Sequence, residues 1–501
     1  MPVSQLHNRP RLERIFSAVA MTIGFTIGWL TPAAADTYIR GEISGYLIPV
    51  NSPYYVIGDI TVPDTLSLTI ESGVHVIFLG DYLFTVYGFV SALGDSQRDG
   101  RIYIGNDSSS WRGIRFDQCS NRSSLINCDI IGARVGIDCI QSGMTIWGCN
   151  IEAKNTAINC DGSSPDISNN YRISVVGSNE VNDRLTVIAL YNGSSPKISN
   201  NRLIQCVTES YNDVYGIYVR DYSAPFIKEN WIEVSSYLRA HAIDAYDISK
   251  LNLKSNIIRV SARQEMLGIV AEDASGVNVH NNDIHLYGSC QQDAIGIKIG
   301  VDARVTIINN VILGNGVSIG VQNQLGEIGE SSGYNLFYQH SQSQKGIWTD
   351  FDSLNFVNKD PQFVDAGFDY HLRPNSPCID KGYPGWTDPD GTVSDIGRYY
   401  YLQPPVNVNP IEIAQNLSLI NAYPNPFNGS VTISYSLIRT GRAVVDMFDL
   451  KGRLVSEIWS GNPDAGSNSI TWDAQGLAGG EYIVRLKADS ETKYMRIVYL
   501  P

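Results

Sequence analysis

The stretches DGSSPDISNN, residues 161–170, and NGSSPKISNN, residues 192–201, are nearly the same sequence met twice. Four more segments align with them: DYSAPFIKEN from Asp221, DISKLNLKSN from Asp247, DASGVNVHNN from Asp273 and DARVTIINN from Asp302. In the first five the opening Asp or Asn precedes the closing Asn by nine residues, and in the sixth by eight. A short alternating run lies between them, such as Pro196-x-Ile198 or Val277-x-Val279. A second apolar run follows the closing Asn, at Leu203, Ile232 or Ile284. A third precedes the next opener: Gly216-Ile217-Tyr218-Val219, Ala242-Ile243-Asp244-Ala245, Gly268-Ile269-Val270-Ala271 and Gly296-Ile297-Lys298-Ile299.

Three short strands per repeat, parted by turns, make one coil of a solenoid. One coil cannot bury its own inner face, so stacked coils share a continuous core. Alternation sends every second side chain inward, so Ile217 and Val219 face in while Tyr218, Asp244 and Lys298 form an outward row. The closing Asn forms a column at Asn170, Asn201, Asn230, Asn256, Asn282 and Asn310, continued upstream by Cys149 and Cys128. An Asn at a tight inner turn can adopt the left-handed conformation and bond the next coil's backbone. The expected fold is therefore all-β: a right-handed parallel β-helix solenoid over residues 36–400, followed by a small C-terminal β-sandwich.

The same register places the cysteines. Cys139 and Cys160 fall 21 residues apart in the inward column of the third strand, as Cys128 and Cys149 do in the Asn column. Stacked thiols behave as small hydrophobes; a disulfide between stacked neighbours is the alternative, with demanding geometry. Cys206, Cys290 and Cys378 have no partner in this register.

At 501 residues the chain is too long for one ordinary compact domain unless that domain is a repeat. The formal charge of −14 repels nucleic acid and anionic lipid, so neither is expected as a partner. Arg9, Arg11 and Arg14, the apolar stretch Ile15 to Leu30, and Ala33-Ala34-Ala35 have the layout of a signal peptide over residues 1–35. Its loss would take away three Arg and one Glu and leave a more acidic chain.

Two resemblances extend this reading. Tyr55 to Val62, Leu66 to Val74 and Trp111 to Phe116 resemble the first coils of secreted pectin-lyase-like β-helix proteins. The run Asp360-Pro361, Tyr370-x-Leu372, Asn375-Ser376-Pro377-Cys378 and Asp388-Pro389-Asp390-Gly391 resembles their closing segment. After a Pro- and Asn-containing linker at 401–416, residues 417–501 carry Tyr423-Pro424-Asn425-Pro426-Phe427-Asn428, then FDLKGRLV, then TWDAQGLAGGEYIVRL. This combination resembles the sorting domain of the type IX secretion system. The resemblance implies recognition by that machinery, passage across the outer membrane, and a place at the cell surface or outside.

Many β-helices cleave acidic polysaccharides, so cleavage has to be weighed against binding. Hydrolysis needs paired carboxylates at a set separation. The strings Asn-Thr-Asp, Asp-Asp, Gly-His-Gly and Arg-Ile-Lys of the related hydrolases do not occur here, nor do Trp-Ile-Asp-His and Arg-x-Pro-x-x-Arg of the lyases. The first expectation is thus a surface protein that binds extracellular polysaccharide or serves adhesion, as a monomer; a lyase or hydrolase acting on acidic glycans is the alternative. Coil length varies at one turn, with inserts at 174–184, 206–215, 235–240, 261–267 and 288–293. Inserts on one face of a solenoid often build its binding surface. The candidate ligand face is Tyr218, Asp244 and Lys298 with Arg239, His241 and Asp293. Ca²⁺ is a candidate ligand for the Asp161, Asn192, Asp221, Asp247, Asp273 and Asp302 column and for the loop of Asp388, Asp390 and Asp395, but a repeated Asx turn is the preferred account of the column.

Overall fold

The computed structural model describes residues 37–403 and 418–500, except 97–99, 107–109, 120–122, 178–183, 347–353, 438–439, 475 and 489–490. The expected export signal at 1–35 and the expected linker beyond residue 403 lie outside the described residues, as do Glu180 and Asp183 of the first insert.

Residues 45–345 wind into a parallel β-solenoid of about eleven coils. One face is a ladder of twelve parallel strands, from Gly45–Leu47 to Glu327–Ile328. The other two strands of each coil join in a 23-stranded parallel sheet. Stacking is in register: Ile188 pairs with Ile217, Ile217 with Ile243, Ile243 with Ile269, and Ile269 with Ile297. These side chains are fully buried and form one core from Leu47 to Phe337. Cys139 pairs with Cys160 in that core as free thiols. Burial pushes the Cys206 thiol up to about 12, which keeps it protonated and inert.

The asparagine column is a hydrogen-bonded ladder. Each Oδ1 accepts both the backbone N–H and the side-chain N–H of the Asn one coil earlier. Asn201 Oδ1 takes Asn170 N at 3.1 Å and Asn170 Nδ2 at 2.9 Å, and Asn256 Oδ1 does the same for Asn230 at 3.0 and 3.0 Å. Each Nδ2 also donates to a strand carbonyl, as Asn256 Nδ2 does to Ile227 O at 2.9 Å. The ladder begins where Cys149 N donates to Asn170 Oδ1 and runs past Asn310 to Asn335 and Asn355. The left-handed residue is not the ladder Asn but the one before it. Asn169, Asn200, Glu229, Ser255, Asn281 and Asn309 have φ between 54° and 59°. The reversal there turns the next side chain inward, along the stacking axis. Asn192, Asp221, Asp247, Asp273 and Asp302 make the same reversal at the opening turn, with φ between 47° and 56°.

The last parallel pairing joins Leu336–Tyr338 to Phe356–Val357. Residues 360–403 add no further coil; they run back along the flank. Phe363, Tyr370, Leu372, Cys378 and Ile396 bury against Ile257, Val311, Leu313 and Leu336. Backbone and side-chain bonds stitch this strap to earlier turns. Tyr383 N donates to Asn309 Oδ1 at 2.7 Å, Gly397 N to Asn309 O at 2.7 Å, and Arg398 Nη1 to Asn230 O at 3.0 Å.

In the C-terminal region, Ser418–Tyr423, Ser430–Leu437 and Gly466–Asp473 form one antiparallel sheet. Leu454–Gly461, Ala443–Asp449, Gly480–Ala488 and Glu491–Tyr499 form the other. Val431, Ile433, Tyr435, Val445, Met447, Val484 and Ile497 share the buried layer. Phe427 is the buried member of the 423–428 motif. Its ring meets Tyr499 at 5.0 Å, and Asn425 Oδ1 takes the Val498 N–H at 2.8 Å, so the motif braces the terminal strand.

Candidate functional site

The third strand of each coil departs from plain alternation. In Arg239–Ala245, the residues Ala240, Ala242, Ile243 and Ala245 all enter the core, which leaves His241 and Asp244 pointing out. Two successive inward residues bend the strand, and the outward residues on either side of the bend lean together. The pairs Tyr215 with Tyr218, Leu267 with Val270 and Ile295 with Lys298 occupy the same two columns in neighbouring coils. Stacked, these bends make a crease along the outside of the solenoid.

His241 sits at its centre, 7% exposed. Its Nδ1 lies 2.9 Å from Asp244 Oδ2 and its Nε2 lies 3.4 Å from Glu265 Oε2. Burial works against a charged ring here, but Asp244 and then Glu265 outweigh it and hold the imidazolium up to about 9. The His241 hydrogen bond in turn keeps the Glu265 carboxyl below its ordinary value, against partial burial and with help from Arg239 and Lys298. At neutral pH His241 is therefore a cation locked between two carboxylates. One coil earlier the Arg184 guanidinium lies over Tyr218, 3.5 Å from the ring centroid, and over Tyr215, at 4.4 Å. Arg220 reaches the Tyr218 hydroxyl and pairs with Asp247 at 3.0 Å. Tyr246 closes that side, with Arg220 4.6 Å from its ring. Burial pushes the Tyr215 hydroxyl up to about 12 and the Tyr246 hydroxyl higher, with Asp244 adding to both, so neither phenol ionises at neutral pH.

The expected outward row exists as a column, Tyr218, Asp244, Val270, Lys298, but it is not an open surface. Tyr218 is 4% and Asp244 1% exposed, because the bend folds each against its partner across the crease. Arg239 stands at the rim, 3.6 Å from Asp213 and 3.5 Å from Glu265. Lys298 lies two coils beyond Asp244 in the same column. Asp293 is exposed on the next turn, where its carbonyl takes the Met266 N–H at 2.8 Å; it does not join the His241 cluster. Sequence reasoning missed Arg184, Tyr215, Arg220 and Tyr246, and it placed Glu265 on an insert without its contact to His241. Their signal is the in-out-in-in-out-in order of Val214 to Val219 and Ala240 to Ala245.

Among the described residues no group of three or more His, Cys, Asp or Glu is placed to hold a metal ion. In the strap, Asp395 takes the backbone N–H groups of Asp380 and Tyr401 at 2.7 and 2.6 Å, and Asp388 takes that of Asp395 at 2.8 Å. Burial, with neighbouring carboxylates, pushes Asp388 up to about 7 and Asp395 up to about 6. These oxygens hold the loop's own backbone.

Fold and tail together define a class: exported β-solenoid proteins delivered by a C-terminal sorting domain. Residues 421–499 match the family described as the secretion system C-terminal sorting domain. That match implies handling by the type IX secretion system, with export to the cell surface or release outside. The chain matches no curated protein. Deleting residues 418–501 is expected to leave the solenoid folded and to hold it in the periplasm; fractionation of cells expressing the truncated chain checks this. Truncated chain at the surface would show that the tail is not the address.

Proposed function

We propose that the mature protein, freed of an export signal at 1–35, binds extracellular polysaccharide along the crease of its 36–400 body, as a monomer at the cell surface. One observation carries this reading: the crease's ionisable cluster is closed on itself, while rings and cations stand at the rim. His241, Asp244 and Glu265 hold one another; Arg239 is matched by Asp213 and Glu265, and Arg220 by Asp247. A general base must reach its proton at hydrogen-bond distance in a protonation state fit for the task. His241 is buried, charged and doubly engaged. The surface left to a ligand is the exposed Arg184 and the half-buried faces of Tyr191, Tyr215 and Tyr246. Coils advance about 4.8 Å each, so such a row suits an extended polymer lying along the axis.

The second reading, a lyase or hydrolase acting on acidic glycans, draws on Asp244 Oδ1, which is buried in the crease without a hydrogen-bond partner. Native gels containing a panel of extracellular polysaccharides, run beside assays for unsaturated and reducing-end products, separate the two. The expected result is retardation by at least one polysaccharide with no product, weakened about tenfold, or roughly 1.4 kcal/mol, in Arg184→Gln. Product release by the wild type would favour the second reading. No retardation by any polysaccharide would end the first.

A further inference from the structure

Beside the crease, three successive turns at the entrance to the third strand present an aromatic step. Tyr211, Tyr237 and Arg263 come from neighbouring coils, and none belongs to the crease. The Tyr211 and Tyr237 rings lie 4.3 Å apart at 51°. The Arg263 guanidinium sits 4.7 Å from the Tyr237 centroid. The turns that carry them are pinned. Thr208 N donates to Ser235 O at 3.0 Å, Ser210 N to Thr208 Oγ1 at 3.1 Å, Leu238 N to Ser236 Oγ at 3.0 Å, and Gln264 N to Leu238 O at 3.0 Å.

Packing alone does not call for this arrangement at the surface. Tyr211 is 49% exposed, so its ring leaves much apolar area in water. Arg263 covers one side of Tyr237, which braces the step at that end, while Tyr211 stands half-exposed at the other. A tyrosine already fixed on a pinned turn loses little freedom when a ligand arrives, and it offers a flat apolar face with a polar tip. A sugar ring has the matching shape, with C–H groups on one face and hydroxyls around its edge. A nucleobase would stack equally well, but the polyanion carrying it would meet a protein of charge −14. We infer that the step is a second sugar subsite, separate from the crease, in which one pyranose lies against Tyr211 and bonds the two tyrosine hydroxyls. The inference rests on the polysaccharide reading of the crease.

The test uses the full mature chain and whichever polysaccharide of the panel retards it most. Tyr211→Ala is expected to weaken retention about fivefold or more, with an unchanged melting curve because the side chain stands on an exposed turn. Tyr211→Phe keeps the ring face and is expected to retain most of the affinity, losing only the hydroxyl's share. Retention by Tyr211→Ala equal to wild type, while Arg184→Gln is weakened, would overturn the subsite and leave the crease standing. Equal loss in Tyr211→Ala and Tyr211→Phe would assign the effect to the hydroxyl and overturn the stacking role. A wild-type protein retained by no polysaccharide would overturn both.

Discussion

Replacing Asp244 with alanine is expected to destabilise the solenoid by about 3–5 kcal/mol at pH 6, the usual consequence of removing one member of a buried ion pair. The pair is sealed: the side chains of His241 and Asp244 are 9% and 2% exposed. The loss carries a pH signature. His241 is held up to about 9 in the fold, against an ordinary value of 6.5. A cationic group raised on folding contributes stability that is fully present below its unfolded value and disappears as pH rises through its folded value. The wild type should thus give up about 3 kcal/mol between pH 6 and pH 10 through this group. In Asp244→Ala the first attraction offsetting burial is gone, the ring returns toward neutrality, and the alkaline loss should flatten. Denaturant unfolding of both proteins at several pH values checks this. Equal stability at pH 6 with parallel pH profiles would mean that the crease is not held by this charge.

The second large effect lies in the ladder. Asn256 Oδ1 is the sole acceptor shown for the Asn230 backbone N–H and one of the acceptors for Asn230 Nδ2. Leucine at 256 fits the volume but leaves a buried backbone donor unmet and removes two donations by Asn256 Nδ2, to Ile227 O and Asn282 Oδ1. Each unmet buried group costs about 1–3 kcal/mol, so the expected total is about 2–5 kcal/mol, read from urea unfolding. A change below about 0.5 kcal/mol would mean that water replaces the amide and the ladder carries no stability.

The solenoid could be read from the chain because its period is local. An opener, an alternating run and an Asn nine residues on is a pattern of sequence distance, and stacking converts sequence distance directly into spatial register. The ladder's lower end was harder to see. Asn335 and Asn355 follow at steps of 25 and 20 without an Asp opener at the expected spacing, so the repeat fades although the hydrogen bonds continue. The crease was half legible. Tyr218, Asp244 and Lys298 were recognised as one outward row, but the facing row of Tyr215 and His241 depends on two adjacent inward residues, which a strict alternation does not allow for. His241 stands on the candidate ligand face in the sequence without a partner, and its engagement by Glu265 from the next coil is a contact across 24 residues that only stacking reveals. The closing segment was recognisable by resemblance. Its return path was not, since Tyr370 meets Trp231 and Arg398 meets Asn230 over separations no local pattern encodes.

That return path changes how the stack can come apart. In a solenoid where each coil touches only its neighbours, an end coil can fray alone and opening travels inward one repeat at a time. Here the final coils are bridged to the Asn230 turn by a strap whose Arg398 and Ile396 cannot stay docked once the coils between them separate. Fraying at this end must then shed the strap's apolar contacts together with the coils, so the downstream third opens in one cooperative step. The upstream coils, beyond the reach of the strap, keep the graded, one-dimensional melting of an ordinary repeat.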